Sequence, residues 1–384
     1  FREAHLCNWE SIAKDIERLP RLGTIEEYVP PFAMLALEDA PARHRIRAKK
    51  YTAAQYPRKS TPTWPKPLQK PERLRIGYFS ADFHDFPGMY LMAGLLEKHD
   101  RTKFEISAFS YGPDIDDQMR KRIVKAVDHF IDIRTADMST VVDLARQHNI
   151  DIAVHRNGYT KNSRPELFAA GLAPIQINYL GYPGTLGADY IDYIVADPFV
   201  IPDDMRRHYS ENIMYLPNTY QPNDDTRTIS DKAITREDMG LPDHAFVFCC
   251  FNNNYKISLI EFDIWMRLLS KIEGSVLWLL KSNKWAEQNL KKQAEAMGVS
   301  AERIIFAERL PQAEHLARHR LADLFLDTFN YNAHTTASDA LWAGLPVVTK
   351  TGQGFAARVA GSLLNAIGLP ELITTNEQEY EELV

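Results

Sequence analysis

The sequence LDTFNYNAHTTASDALWAGLPVVT, at residues 326–349, has the pattern of a strand, a helix and a second strand. The first strand is predicted to end at Thr328, and after a loop His334 opens the helix. Gly344 and then Pro346 follow in the usual order of a helix stop. N–H groups at a helix start lie at the positive end of the helix dipole and favour an anion. A phosphate site is therefore predicted at His334, with a simple threonine cap as the plainer alternative.

The same alternation extends on both sides of this stretch. Short apolar runs alternate with helical patterns over residues 74–197 and again over residues 245–367, with a polar segment at 216–235 between them. Such alternation predicts parallel sheets with helices on both faces, and hence an α/β protein of two doubly wound units. Because open parallel sheets bind ligands beyond the carboxyl ends of their strands, a cleft between the two units is the expected site.

The residues before about position 72 have a different character. Residues 1–20 are predicted to form one amphipathic helix and residues 40–55 a second one, followed by a proline-rich connector at 56–74. The chain begins with Phe and already looks helical, as expected of a piece cut from a longer chain. The expected domains are residues 1–71, 72–235 and 236–384.

Composition limits the class of protein. The 384 residues include 45 Lys and Arg and 51 Asp and Glu, a formal net charge of -6, which gives no bulk attraction for nucleic acid or an anionic membrane. No apolar run approaches the roughly 20 residues that span a bilayer. Three cysteines without CxxC spacing favour a reducing, cytoplasmic compartment. The histidines show no metal-ligand spacing, so no metal site is predicted.

Two strand-end loops of the second half carry residues suited to a nucleotide. In FNNNYKIS, at 251–258, Lys256 follows a predicted strand and could neutralise a diphosphate, although a single loop lysine is more often only solvated. In the stretch quoted first, the hydroxyls of Thr335 and Thr336 add donors at the helix start. Asp339 lies one turn further in, where a carboxylate could reach ribose hydroxyls.

Three loops of the first half are candidates for an acceptor site. Their notable residues are His84 and Asp85 in SADFHDFPGMY, His155 in VHRNGYT, and the glycines of LGYPGTLG. A histidine among carboxylates could act as a base, and equally it could be an exposed loop residue. The glycine-rich loop is as compatible with a structural turn as with a sugar site. The acidic run DIDD at 114–117 is interpreted as a helix start rather than a metal-binding motif.

Several segments occur together and in order: LRIGYFSADF, NGYTKNSRPELFAAGLAPIQINYLGYPGTLGADYIDYIVAD, FNNNYKI, SVLWLLKSN and LADLFLDTFNYNAHTTASDALWAGLPVVT. From about residue 72 to 384 they resemble the catalytic region of the O-linked N-acetylglucosamine transferase / SPINDLY family, in its bacterial branch. The residues before them resemble the end of a tetratricopeptide array. The resemblance implies a GT-B fold, with two Rossmann-like halves and a nucleotide-sugar in the C-terminal half. It also implies inverting, metal-independent transfer from a UDP-sugar to a protein hydroxyl.

The resemblance implies roles for individual residues as well. For UDP binding they are Asn253, Lys256, His315, Arg318, His334, Thr335, Thr336 and Asp339. Among these, Lys256 and the residues from His334 to Thr336 are expected at the diphosphate, Asp339 at the ribose, and His315 and Arg318 at the uracil. For the sugar and acceptor the resemblance implies Gly181, Tyr182, Pro183, Gly184 and Thr185. Phe86, His155 and Tyr331 are added as candidates, although they depart from the family pattern. The residues expected to act in catalysis are Lys256, His334, His84 and Asp85.

The chain departs from the family pattern at two notable positions. Phe86 stands where a histidine is typical, and Tyr331 stands where animal members have Cys. A phenylalanine can neither take a proton nor donate a hydrogen bond. Either His84, Asp85 or His155 takes that role, or no side-chain base is needed, or activity on the usual acceptor is lost.

The leading hypothesis is a transferase that moves a sugar, with GlcNAc expected, from a UDP-sugar to Ser or Thr hydroxyls of an acceptor protein or peptide. No metal or other cofactor is expected. Two alternatives stay open: a catalytically impaired UDP-binding recruitment protein, and a transferase that uses another sugar or a non-protein acceptor. No nucleic acid or membrane partner is expected, and the N-terminal helices are candidates for self-association.

Overall fold

The structure of the chain is a computed structural model. It describes residues 1–59, residue 64 and residues 71–384. The proline-rich connector predicted at 56–74 lies largely outside the described residues, and its extended form stays a prediction. No helix in the described part of the chain is long and apolar enough to cross a bilayer.

The chain folds into two compact units. We call residues 21–32 and 41–226 the N-terminal unit, and residues 1–20, 33–40 and 227–384 the C-terminal unit. The residues before position 72 are thus divided between both units, and the contacts change from one unit to the other after residue 226 rather than at the expected residue 235.

A parallel sheet of seven strands forms the centre of the N-terminal unit, in the order β3-β2-β1-β4-β5-β6-β7. Its strands are β1 (Leu74–Ser80), β2 (Phe104–Ser110), β3 (His129–Asp132), β4 (Ile152–His155), β5 (Ile175–Asn178), β6 (Tyr193–Ala196) and β7 (Asn212–Tyr215). The inner parts of β1 and β2 are buried on both faces, as expected of a parallel sheet covered by helices. Phe79 and Phe109 pair in register, and their rings stack with centroids 4.3 Å apart.

Side-chain caps start two of the helices of this unit. The helices are α4 (Pro41–Gln55), α5 (Met89–Lys98), α6 (Gln118–Ala126), α7 (Met138–Gln147) and α8 (Pro165–Ala169). Asp117 accepts a hydrogen bond from the N–H of Arg120 at 2.7 Å, and Asp137 caps α7 in the same way. The interpretation of DIDD as a helix start is therefore confirmed.

A second parallel sheet, of six strands, forms the centre of the C-terminal unit, in the order β10-β9-β8-β11-β12-β13. Its strands are β8 (Val247–Cys250), β9 (Val276–Leu280), β10 (Ile304–Ala307), β11 (Leu324–Leu326), β12 (Val347–Lys350) and β13 (Ile373–Thr374). Both sheets reverse their strand order in the middle, between β1 and β4 and between β8 and β11, which is the doubly wound arrangement. The predicted α/β class with two Rossmann-like units is confirmed.

The helices of the C-terminal unit come from both ends of the chain. They are α1 (Arg2–His5), α2 (Trp9–Lys14), most of α3 (Pro31–Leu37), α9 (Leu259–Lys271), α10 (Lys284–Ala296), α11 (Gln312–Arg318), α12 (Thr335–Trp342), α13 (Val359–Ala366) and α14 (Glu377–Leu383). A reciprocal pair of hydrogen bonds between Ser258 and Glu261 caps α9, which fixes where the chain turns after β8. Trp265, Trp278 and Phe248 are fully buried in the core.

Several predicted elements need correction. Residues 1–20 form two short α-helices and a turn instead of one helix, because Cys7 takes a left-handed φ of 49° and Asn8 caps the start of α2. The helix predicted over 354–367 is a 3-10 turn followed by α13. Strand β7, strand β13 and helix α14 were not predicted, since β7 is a half-exposed edge strand without a buried apolar run and β13 has only two residues.

Candidate functional site

The strand order of the C-terminal unit reverses between β8 and β11, which pair directly. Open parallel sheets bind their ligands at such a point, beyond the carboxyl ends of the strands. The loop after β8 carries Lys256, and the loop after β11 leads to His334 at the start of α12. The two groups predicted to bind phosphate therefore lie on loops that start side by side in one unit.

Lys256 ends a 3-10 turn (Asn254–Lys256), and its ammonium contacts the loop after β11. Nζ donates to the carbonyl oxygen of Asn332 at 2.9 Å and lies 4.0 Å from the ring centroid of Tyr331. Burial lowers the pKa of Lys256, whereas the nearby Asp327 carboxylate raises it. A phosphate beside Nζ would add an opposite charge and favour the charged ammonium.

Asp327 organises the loop between β11 and α12, and sequence analysis did not single it out. Its carboxylate accepts hydrogen bonds from the N–H of Thr328 at 2.8 Å, the N–H of Ala333 at 2.6 Å and the hydroxyl of Thr349 at 2.6 Å. Burial raises the pKa of Asp327, and the charge of Lys256 opposes that rise. An acid directly after a buried strand, in LDTF, was the signal that could have identified it.

His334 stands at the N-cap of α12 and is held by the following loop. Its Nε2 lies 3.1 Å from the carbonyl oxygen of Ala356, so Nε2 carries the proton and Nδ1 is the acceptor. Its ring lies 4.8 Å from that of Tyr331, the same ring that the Lys256 ammonium contacts. Burial, and then the charge of Lys256, lower the pKa of His334, so the imidazole is neutral.

The two threonines of α12 differ in what their hydroxyls do. Thr336 Oγ1 donates to Oδ1 of Asn252 at 2.5 Å, and Asn252 in turn donates to the hydroxyl of Thr328 at 2.8 Å. The hydroxyl of Thr335 has no hydrogen-bond partner among the described residues. Asn253 is exposed on the neighbouring turn. Thr335 is thus the better placed of the two to donate to an added anion.

Asp339 is buried and already has hydrogen-bond partners within the protein, whereas the prediction was a carboxylate open to ribose hydroxyls. It accepts hydrogen bonds from Arg227 and, at 3.3 Å, from Gln312. Nε2 of His315 lies 3.7 Å from its other oxygen. Burial raises the pKa of Asp339 to about 6, and Arg227 opposes the rise. Ribose binding by Asp339 stays a prediction, and it would require one of these partners to share the carboxylate.

His315 and Arg318 lie on α11, one turn apart, as expected for a common site. Burial lowers the pKa of His315 to about 2, so its ring is neutral. Arg318 is 1% exposed, and its guanidinium packs on the ring of Phe251 at 4.4 Å and donates to the carbonyl oxygen of Glu308 at 2.5 Å. These contacts occupy the Arg318 guanidinium within its own unit, and contact of His315 or Arg318 with uracil stays a prediction.

A buried polar network occupies the equivalent edge of the N-terminal sheet, after β1 and β4. The Asp82 carboxylate forms an ion pair with Arg156 and accepts from Nδ2 of Asn157 at 2.7 Å. Asn157 also accepts hydrogen bonds from the N–H of Ala81 and the hydroxyl of Tyr111, each at 3.0 Å. These contacts lock the two loops together, so the acidic and basic side chains here neutralise each other.

His155 does not present its ring to solvent. It is 1% exposed and stacks on Phe168 with ring centroids 4.2 Å apart. Burial lowers the pKa of His155 to about 3. A base for an acceptor hydroxyl needs contact with the acceptor, so this placement corrects the suggestion that His155 takes that role.

His84, Asp85 and Phe86 lie on the surface loop after β1. Phe86 is 39% exposed, and its ring lies 5.7 Å from that of His84. The Asp85 carboxylate accepts a hydrogen bond from the hydroxyl of Tyr90 at 2.5 Å. His84 and Asp85 are therefore the accessible titratable groups of this loop, and their catalytic role stays a prediction.

The GYPGT loop is held tightly by its own unit. The N–H of Gly181 donates to the carbonyl oxygen of Arg156 at 3.0 Å, and the hydroxyl of Thr185 donates to Glu211 at 2.6 Å. A Cβ at Gly181 would lie 2.2 Å from that same carbonyl oxygen, so only glycine fits. The buried members are Tyr182, Pro183, Gly184 and Thr185. Of the two readings of this loop, the packing favours a structural turn.

Within the ranges that the structure describes, no group of three or more His, Cys, Asp or Glu side chains is arranged to hold a metal ion. Metal independence stays a prediction.

Comparison with known proteins identifies the family. The sequence model of glycosyl transferase family 41 matches residues 52–233 and 223–384. The probable UDP-N-acetylglucosamine–peptide N-acetylglucosaminyltransferase SEC of Arabidopsis thaliana is 36% identical over 98% of this chain and 41% of its own length. The corresponding SPINDLY protein of the same plant is 29% identical over 82% of this chain and 35% of its own length. The chain thus spans well under half of these curated relatives.

A solved structure supports the same assignment. A mutant O-GlcNAc transferase from Thermobaculum terrenum is 28% identical, with a TM-score of 0.82, over 92% of this chain and 68% of that chain. This match confirms the GT-B fold implied by the resemblance. With the family model, the plant relatives and this structure in agreement, the chain belongs to glycosyl transferase family 41.

Proposed function

We propose that the chain carries the donor-binding and catalytic region of an inverting, metal-independent transferase, which moves GlcNAc from UDP-GlcNAc to Ser or Thr hydroxyls of a protein or peptide. The names of the plant relatives support this donor and acceptor class. The catalytic residues of the proposal within the C-terminal unit are Lys256 and His334.

One observation carries the proposal: Lys256 and the start of α12 meet at the switch point of a doubly wound sheet. The Tyr331 ring contacts both the Lys256 ammonium and the His334 imidazole. The N–H groups of Thr335 and Thr336 open the helix and have no intrahelical acceptor. A cation, a helix start and a neutral imidazole around one point form a suitable environment for a diphosphate.

The chemistry follows from charge development on the leaving group. When an acceptor hydroxyl attacks the anomeric carbon, the bond to the β-phosphate oxygen breaks and UDP departs with an added negative charge. The Lys256 ammonium would stabilise this charge in the transition state more than in the bound donor, which is how a preorganised cation accelerates a reaction. The hydroxyl proton leaves to a base or to water, and His84 and Asp85 are the proposed side-chain candidates.

UDP binding and UDP release test the proposal. We expect UDP to bind in calorimetry, and a panel of UDP-sugars to release UDP, with UDP-GlcNAc the best donor. Lys256→Ala should reduce kcat on the order of 100- to 1000-fold, the usual loss when one charge-stabilising contact is removed. Lys284→Ala, at an exposed lysine on α10, is the matched control and should leave turnover unchanged.

The outcomes separate the alternatives. Absence of UDP binding at millimolar concentration, or full turnover by Lys256→Ala, refutes the proposal. UDP binding without release, in the presence of diverse peptides, favours the recruitment protein with Phe86 in place of the family histidine. Release from another UDP-sugar, with the product identified by mass spectrometry, favours a different donor or acceptor.

A further inference from the structure

The N-terminal residues 5–9 are bound to the turn that carries Lys256. The Nδ2 of Asn254 donates to the carbonyl oxygen of His5, and Sγ of Cys7 lies 3.7 Å from the carbonyl oxygen of Asn254. Nε1 of Trp9 donates to the carbonyl oxygen of Ile257 at 3.1 Å. The polar contacts thus reach the residues on both sides of Lys256.

The same N-terminal residues are anchored independently of that turn. Two asparagines of the α10 region donate to their backbone: Asn283 to the carbonyl oxygen of His5 at 2.9 Å, and Asn289 to that of Leu6 at 2.8 Å. Trp9 is buried and lies against Phe262 of α9, with ring centroids 5.0 Å apart. The Lys256 turn is therefore held against a segment that is itself fixed.

Residues 36–39 contact the loops that follow β11 and β12. Both oxygens of Asp39 accept backbone hydrogen bonds, from the N–H of Gln353 at 2.6 Å and the N–H of Gly354 at 2.7 Å. Asn330, in the loop before α12, donates to the carbonyl oxygen of Ala36 at 3.3 Å. Asp39 thus takes the place of a backbone partner for the loop that follows β12.

That loop is the one that orients the residues of the site. The carbonyl oxygen of Ala356 accepts from the N–H of Asn332 at 2.9 Å and lies 3.1 Å from Nε2 of His334. Asn332 in turn accepts the hydrogen bond of the Lys256 ammonium. A continuous chain of contacts therefore runs from Asp39 through the 353–356 loop to both proposed phosphate-binding groups.

We propose that residues 5–9 and 36–39, which we name the N-terminal strap, position Lys256 and His334 for the diphosphate of the donor. The inference rests on the function proposed above and adds positioning residues that lie outside the switch-point loops. Trp9 and Asp39 act through the backbone of the loops they hold, without touching the ligand. Rigid support of this kind matters because a loosely held site loses affinity even when all its contacting groups are present.

If the N-terminal strap positions the site, the affinity for UDP should depend on side chains of the strap. Trp9→Phe removes the indole N–H, and Asp39→Asn removes one of two acceptors while keeping the shape. Each should raise the Kd for UDP about three- to tenfold, the range of one net hydrogen bond. Asp39→Ala, which removes both acceptors, should raise it further.

Two kinds of control separate positioning from lost stability. Asp15→Asn changes an exposed N-terminal carboxylate outside the strap. Ile304→Val changes a buried residue of β10, at the far edge of the sheet, and lowers the melting temperature without touching the strap or the switch-point loops. Both should keep wild-type affinity for UDP in calorimetry.

Hydrogen exchange adds a readout that needs no ligand. Trp9→Phe should speed amide exchange in residues 253–257, and Asp39→Asn should speed it in residues 353–357, each without changing the exchange of the other loop. The inference is overturned if the strap variants bind UDP as tightly as Ile304→Val does at an equal loss of melting temperature. Wild-type protein that binds no UDP overturns the proposed function itself, a failure seen without any variant.

Discussion

The two threonines at the start of α12 allow a prediction in which stability and ligand affinity separate. Thr336 donates inward to Asn252, which is 2% exposed, whereas the hydroxyl of Thr335 makes no hydrogen bond with the described residues. Valine replaces threonine with nearly the same shape, so each substitution removes little except the hydroxyl. We expect Thr336→Val to affect chiefly folding and Thr335→Val to affect chiefly UDP binding.

The magnitudes follow from what each hydroxyl contacts. Thr336→Val leaves a buried amide oxygen of Asn252 without its donor, which costs about 1–3 kcal/mol. For units of this size that corresponds to a loss of about 2–12 °C in Tm. Thr335→Val breaks no contact of the folded chain, so its stability should change by less than about 0.5 kcal/mol. If Thr335 donates to the diphosphate as proposed, the substitution removes a hydrogen bond to a charged group, worth about 1.5–3 kcal/mol, or about 10- to 100-fold in the Kd for UDP.

Thermal unfolding without ligand and calorimetric titration with UDP measure the two effects on the same samples. Each variant is the control for the other, because the substitution and the helix turn are the same. This expectation is refuted if Thr336→Val keeps its Tm but loses UDP affinity, while Thr335→Val keeps both. That result would mean that the hydroxyl of Thr336 binds the ligand and does not stabilise the fold through Asn252.

Three further predictions concern buried or paired charges. Burial depresses the pKa of His155 to about 3, so His155 takes up a proton when the chain unfolds. The free energy of unfolding should therefore fall by about 2 kcal/mol from pH 7 to pH 5. His155→Phe should lack this pH dependence and should leave the pH profile of UDP release unchanged. Asp82→Ala should cost about 3–5 kcal/mol, since Arg156 would remain buried without its counter-ion. Hydrogen bonds from Arg267 and then Lys271, both on α9, lower the pKa of Glu381 to about 2. Glu381→Gln should therefore lower the free energy of unfolding by about 1 kcal/mol at neutral pH. This difference should disappear as the pH falls from about 4.5 towards 2.

Urea unfolding at several pH values measures all three, and each has its own control. For Asp82, the Asn variant keeps one acceptor for Arg156 and should lose less than the Ala variant. A loss of activity in His155→Phe with an altered pH profile would restore His155 as a candidate base. For Glu381, a variant that stays less stable than wild type at pH 2 would show that the effect is packing and not charge.

The strand ends and the loops that carry Lys256 and His334 could be predicted from local sequence, because each depends on neighbours along the chain. Apolar runs between helical patterns locate the strands, and Lys256 and His334 lie in the loops that follow two of them. Asp327 was missed although it directly follows β11, since its position after a strand makes it a candidate without showing that three donors converge on it. The break of the first helix at Cys7 was missed because a left-handed residue other than glycine leaves little mark in the sequence.

The direction in which a side chain points could not be predicted from the sequence. His155 and Arg318 follow the patterns of site residues, yet one stacks in the core on Phe168 and the other on Phe251. Asp339 was expected to be open to a ligand, and its partner Arg227 lies 112 residues earlier in the chain. Which partner a polar side chain finds depends on what tertiary packing brings within about 3 Å, and spacing along the chain carries no information about that.

By itself the sequence determined the class of fold, the family, and the two loops on which a diphosphate is expected, because periodicity and motifs are properties of contiguous residues. Only the tertiary structure decided that Lys256 and His334 share one aromatic neighbour, that Thr336 is turned inward, and that residues 5–9 and 36–39 belong to the unit that holds the site. These facts rest on contacts between residues far apart in the chain, which form only when the central strands β8 and β11 and the N-terminal helices pack into one core.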